Sequence, residues 1–204
     1  MPTRVIAYID GFNLYYALKK RGWQRYYWLN LQEMSQRLLK SNQLLTGTKY
    51  FTARVKSNPD KKKRQVVFID AQKTLPDLEI IEGSYQKRRR LCTKCNQFYQ
   101  TYEEKMTDVN IAITLLEDAI NDSFDTALLV SADGDLTKPI QTVKRIFPHK
   151  RIVVAFPPGY SSISLKKHAD AHLTIGRKTL KDSLFPTTVT TAKGRTLRRP
   201  PSWS

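Results

Sequence analysis

The sequence predicts a three-layer α/β domain, with a central, mainly parallel sheet of about five to six strands flanked by helices. Three observations carry this. Residues 4–10, 126–130 and 151–156 are short, continuous apolar runs of the kind found in strands buried on both faces. Segments of helical periodicity lie between the runs and are long enough to serve as crossovers between parallel strands. The first and fourth predicted strands end in acidic, glycine-containing turns, Asp10-Gly11 and Ser131–Asp135. Parallel sheets bind their ligands at such carboxyl ends.

The first strand, 4–10, gives way at Gly11 to a helix that carries Phe12, Tyr15, Tyr16, Leu18 and Lys19, and Gly22 stops it. Asn30 is placed to cap a second helix, with Glu33 three residues on and an expected apolar face of Leu31, Met34, Leu38 and Leu39. β-Branched and aromatic residues make 48–55 the second strand. The third helix starts at Asn58-Pro59 and runs to about Lys73. Its opening turns hold Lys61, Lys62, Lys63 and Arg64, cations that oppose the helix dipole there. The third strand is 78–85. Residues 86–104 then interrupt the alternation and are expected to form an inserted hairpin or flap.

The helix over 106–120 has the strongest periodicity, with an expected apolar face of Val109, Ala112, Ile113, Leu116, Ala119 and Ile120. Thr107 is its expected N-cap, and Asp108 falls in its first turn. The fourth strand, 126–130, leads into a helix over 136–147, and 151–156 is the fifth strand. A short helix (161–168), a short strand (172–175) and a helical segment (177–184) follow. The domain is expected to span 1–185. Residues 186–204 hold four basic residues, three prolines and no acids. They read as a tail, flexible unless it docks, that is placed to lie across RNA or a neighbouring subunit.

The formal net charge is +17, which favours a polyanionic partner, because neutralising phosphates releases counterions. Lys87, Arg88, Arg89 and Arg90 interleave with Tyr85, Phe98, Tyr99 and Tyr102, the mixture of charge and rings that single-strand binding uses. No apolar run reaches the ~20 residues of a membrane helix. The N-terminus shows no charged leader with an apolar core, so a cytoplasmic location is expected. No G-x-G-x-x-G follows the first strand and no phosphate-loop motif occurs, which counts against nucleotide-cofactor chemistry.

Four carboxylates stand at the ends of predicted elements: Asp10, Asp108, Asp133 and Asp135. If the first and fourth strands are neighbours, all four reach one cleft. An all-oxygen set suits Mg²⁺ or Mn²⁺, which orient water and stabilise charge on a phosphoryl oxygen. Asn13 is placed to hold a water or a phosphate oxygen, and Ser131 and Thr107 are nearby hydroxyls. The three histidines, His149, His168 and His172, all lie late in the chain, away from the carboxylates.

Tyr8-Ile-Asp10-Gly-Phe-Asn13, Lys105-Met-Thr107-Asp108-Val-Asn110 and Ser131-Ala-Asp133-Gly-Asp135 resemble, in order and spacing, the three motifs of the NYN domain family. This is the LabA-like branch of the PIN-like nucleases. The resemblance implies a PIN-like, Rossmann-like fold and a metal-dependent endoribonuclease that hydrolyses RNA phosphodiester bonds. Asp10, Asp108, Asp133 and Asp135 would form its metal site, with Asn13 as polar companion. Lys87, Arg88, Arg89, Arg90, Lys105 and Ser131 are the candidates for nucleic-acid contact. The alternative is an RNA-binding regulatory protein with a vestigial nuclease site. A third reading, a phosphatase of small phosphoesters, fits an Asp-x-Asp after a strand but not the basic flap.

Cys92 and Cys95 have the spacing of half a tetrahedral zinc site. Three readings stay open: completion by His168 and His172, a Zn²⁺ shared between two copies in a homo-oligomer, or two reduced thiols without metal. The last is the plainest.

Overall fold

The computed structural model describes residues 2–56 and 58–203, apart from the side chains of 101–104. The ring of Tyr102, expected to serve in stacking, lies outside the described residues. The central sheet comprises β1 (Thr3–Asp10), β2 (Gln43–Thr52), β3 (Leu78–Glu82), β6 (Thr126–Val130), β7 (Arg151–Phe156) and β8 (Ala171–Thr174) in the order β3-β2-β1-β6-β7-β8. Every pairing in it is parallel. The hairpin β4 (Ser84–Leu91) and β5 (Phe98–Lys105) interrupts the alternation where the flap was expected. Leaving from the end of β3, it shortens the predicted third strand to Glu82.

The central strands β1, β6 and β7 are mostly apolar because both their faces are covered, and their alternation sorts the core into two layers. Ile6, Tyr8, Ala127, Leu129, Ile152, Val154 and Phe156 face α4 (Thr107–Ile120), α5 (Thr137–Ile146) and α6 (Ile163–His168). Val5, Ala7, Ile9, Leu128, Val130 and Ala155 face α1 (Gly11–Lys20), α2 (Leu31–Gln36) and α7 (Arg177–Asp182). The remaining helix, α3 (Pro59–Gln72), packs with Trp28 at one end of the second layer.

Three expectations are corrected. β2 starts at Gln43 because a register shift opposite Val5/Ile6 lets the strand run through Gly47 instead of starting after it. In α2 Asn30 does accept from the Glu33 N–H at 2.8 Å, but the helix ends at Gln36, so Leu38 and Leu39 pack from the following turn. In α4 the buried positions are Thr107, Ile111, Leu115, Asp118 and Ala119, whereas Val109, Ile113 and Ile120 are exposed. The cause is Asp118: the Tyr8 hydroxyl donates to it at 2.6 Å and Lys49 Nζ at 2.8 Å, so a carboxylate occupies the core-facing stripe. The tail, expected to be flexible unless it docks, is docked. β9 (Thr188–Thr190) and β10 (Thr196–Arg198) form a hairpin, and Trp203 packs on Tyr27, Trp28 and Phe68. This placement lies over α3 and Trp28, against the same chain's body.

Candidate active site

β1 lies between β2 and β6, so the chain leaves the sheet in opposite directions on either side of one crevice. The register pairs Ile9 with Val130, which sets Asp10 beside Ser131 at the carboxyl ends of the two strands. Gly11 follows because nothing larger fits: a Cβ there would lie 2.5 Å from the Tyr50 ring and 2.6 Å from the Phe51 carbonyl. That close approach lets α1 start directly at Asp10, whose Oδ1 accepts from the Asn13 N–H at 3.0 Å as the helix cap.

The two acidic turns are locked together. Ser131 Oγ donates to Asp10 Oδ2 at 2.9 Å and accepts from the Asp133 N–H at 3.0 Å. Asn13 Oδ1 accepts from the Ala132 N–H at 3.0 Å, and Asp133 Oδ1 accepts from the Asp135 N–H at 2.9 Å. Ser131 is wholly buried, so its hydroxyl, expected to meet nucleic acid, instead links the Asp10 carboxylate to the Asp133 backbone N–H. Across the crevice, α4 opens at Thr107. Its cap position is Met106, held at φ +78° in the left-handed region, and Thr107 is the first helical residue and not the cap. A methionine in that conformation is strained, and the tight turn brings Thr107 and Asp108 to the pocket.

Asp10, Asn13, Thr107, Asp108 and Asp133 line one pocket of about 350 Å³, together with Phe12, Tyr16 and Tyr160. Asp135 is exposed in the 3₁₀ turn after Asp133 and is not among the lining residues. Burial pushes the Asp10 carboxyl up to about 6, and the charges of Asp108 and Asp133 add to the effect. The hydrogen bonds from Asn13 and Ser131 offset part of it. A buried carboxylate beside two others is poised to accept a cation. The donors are all oxygens, the ligands of a hard ion. Among the described residues no three His, Cys, Asp or Glu side chains form a ready ligand group.

The hairpin leaves beside this pocket. The Tyr85 ring meets the Phe12 ring edge-on at 5.9 Å. Alternation along β4 puts Lys87 and Arg89 on the Tyr85 face and Arg88 and Arg90 on the other. Arg89 lies 4.1 Å from the Phe98 ring centroid, and all four cations are exposed. Lys105 ends β5, half-buried, two residues before Thr107. At the hairpin tip, N–H groups of Cys95 and Lys94 and the Cys95 thiol hold the Cys92 thiol below its usual range. Of the three readings of this pair, completion by histidine does not form among the described residues. His168 bonds to Gln141, and His172 sits on β8, at the edge of the sheet opposite β3.

Sequence reasoning missed the aromatic wall. Tyr16 is expected only as a residue of the first helix, and Tyr160 figures in no expectation. The available signal was position: Tyr16 lies one helical turn past Phe12 of the first acidic motif, and Tyr160 ends a Pro-Pro-Gly turn just after a strand.

A crystallised protein of unknown function from Vibrio parahaemolyticus, VPA0982, shares this fold, with a TM-score of 0.59 over 90% of this chain and 97% of its own, at 19% identity. A protein of Pseudomonas putida named 6-hydroxy-3-succinoylpyridine 3-monooxygenase is 29% identical over 76% of this chain. The chain spans 60% of that relative's length. The family model described as NYN domain matches residues 4–176. No helix among the described residues is long and apolar enough to cross a membrane. With its parallel sheet and three acidic motifs, the chain belongs to the NYN domain family, in the PIN-like nuclease superfamily.

Proposed function

We propose that this protein is a Mg²⁺- or Mn²⁺-dependent endoribonuclease. The observation that carries the reading is the buried, hydrogen-bonded Asp10 facing Asp108 and Asp133 across one pocket in a chain of net charge +17. Asp10, Asp108 and Asp133 would hold the ion, directly or through water, with Asp135 in the outer acidic shell. When bound, the ion supplies activation of water and neutralisation of charge on the phosphoryl oxygen.

The chain's own residues do the rest. Ser131 and the Asn13 N–H fix both oxygens of Asp10, so the carboxylate needs no reorganisation when substrate enters. The Asp135 N–H holds Asp133 in the same way. Lys87 and Arg89, on the face that continues from Tyr85, attract the backbone of an incoming strand, and Lys105 stands at the pocket end of that path. The pair Cys92 and Cys95 is read as reduced thiols that take no part in the reaction.

A second reading rests on one observation. The Pseudomonas putida relative carries the name of a monooxygenase, and this pocket has an aromatic wall suited to a flat substrate. The net charge and the basic hairpin favour RNA over a small molecule.

The test is product analysis. A 5′-labelled single-stranded RNA and a generic phosphomonoester are incubated with the protein in Mg²⁺, Mn²⁺ or EDTA. Internal RNA cuts that need the metal, with the monoester left intact, are expected. Turnover of the monoester alone, or cuts unaffected by EDTA, would refute the reading.

A further inference from the structure

Phe12, Tyr16 and Tyr160 have no part in holding an ion, yet they form one wall of the acidic pocket. Phe12 and Tyr16 lie one turn apart on α1 with their rings nearly parallel, 26° between planes and 6.4 Å between centroids. Phe12 is fixed from the other side by the Tyr85 edge. Tyr16 is half exposed, so ring surface remains open to a ligand. Tyr160 is presented by a tight turn. Its N–H donates to the Pro157 carbonyl at 3.1 Å, and Gly159 sits at φ +79°. The Arg21 guanidinium packs so closely on Gly159 that a Cβ there would lie 2.6 Å from Nε. Both tyrosines are therefore mounted on braced backbone.

Each ring also has a cation beside it. Lys19 Nζ is 5.9 Å from the Tyr16 centroid and Lys20 Nζ is 5.4 Å from that of Tyr160. Bracing of α1 alone would account for Phe12, but not for a half-exposed tyrosine and a second tyrosine from a distant loop meeting at the same pocket. Rings with flanking ammonium groups, beside a floor of carboxylates, match the repeating chemistry of an unpaired nucleotide: a flat base and a phosphate.

We infer that Tyr16 and Tyr160 are stacking platforms for the unpaired bases that flank the phosphate held at the acidic floor, with Lys19 and Lys20 contacting the adjoining phosphates. This rests on the nuclease reading and narrows it to single-stranded RNA with little sequence preference. In a duplex the base faces are already covered by their neighbours, so these rings have nothing to meet. The hairpin and α1 then form the two sides of one groove, with the strand passing between them.

The probe is a short oligoribonucleotide with one 2-aminopurine between uridines, bound in Ca²⁺ and followed by fluorescence and anisotropy. The parent protein is expected to quench the 2-aminopurine. Tyr16→Ala and Tyr160→Ala should each lose quenching and bind roughly tenfold or more weakly. Tyr16→Phe and Tyr160→Phe should keep both properties and control for folding. The same sequence as a duplex should compete poorly. Alanine variants that quench and bind like the parent would overturn the inference, as would equal competition by the duplex. Mn²⁺-dependent cleavage, run in parallel, separates the two proposals. Cleavage with no effect of the alanine changes removes the platforms alone. Quenching by a parent that cleaves nothing leaves the platforms standing and removes the nuclease.

Discussion

Replacing Asp10 by asparagine is expected to stabilise the metal-free protein while abolishing the proposed RNA cleavage. The carboxyl is buried, and its pKa stands at about 6 against an ordinary 3.8. Burial penalises the charged form, so the folded state keeps the proton to higher pH than the unfolded state. Stability therefore falls as pH rises from about 4 to about 6, and the full penalty is present above that range. The gap corresponds to about 3 kcal/mol. Asparagine removes the charge and keeps the cap, because its Oδ1 accepts from the Asn13 N–H as well as aspartate does. It weakens the Ser131 hydrogen bond, at a cost of about 1 kcal/mol. The net gain of about 2 kcal/mol should raise Tm by roughly 4–8 °C at pH 7.5 in EDTA. Calorimetry of parent and Asp10→Asn proteins from pH 4 to 8 measures this. The gap should close toward pH 4. Saturating Mn²⁺ should reverse its sign, because only the parent gains stability from the ion. A variant less stable than the parent at pH 7.5 without metal, or a gap that ignores pH, would refute the reasoning.

Other changes test the frame around the pocket. Asp118→Ala strips the Tyr8 hydroxyl and the largely buried Lys49 of a shared partner, and should cost about 3 kcal/mol in urea unfolding. Gly11→Ala drives a Cβ into Tyr50 and the Phe51 carbonyl, which should lower stability by about 1–3 kcal/mol and reduce cleavage by shifting Asp10. Truncation after Pro186 uncovers Trp28 and removes Leu197, both buried, and should lower Tm by several degrees and shift Trp fluorescence to the red.

The sheet was legible because apolar runs at Val5–Ile9, Thr126–Val130 and Ile152–Phe156 have a plain physical cause: strands covered on both faces. The floor of the site was legible for a related reason, since Asp10 and Asp133 interrupt such runs at the ends where parallel sheets bind ligands. Other features needed the third dimension. The buried stripe of α4 was misread because Asp118 is paired with Tyr8 and Lys49, residues 110 and 69 positions away. Ser131 is expected to meet nucleic acid, and only the β1–β6 register shows it linking Asp10 to the Asp133 N–H. Composition leaves the tail either flexible or docked, and only the structure shows Trp203 on Tyr27, Trp28 and Phe68. Tyr160 reaches the pocket from a turn far from all three motifs, and its place just after a strand is the one local sign of that.

The most direct measurement is cleavage of a single-stranded RNA across a Mn²⁺ titration, by parent and Asp133→Asn proteins purified in parallel. If Asp10, Asp108 and Asp133 act as one metal centre, the parent's cleavage rises and saturates with Mn²⁺. The variant's rate should fall by two or more orders of magnitude, with folding unchanged by circular dichroism. Equal cleavage by the two proteins would contradict a catalytic role for the pocket.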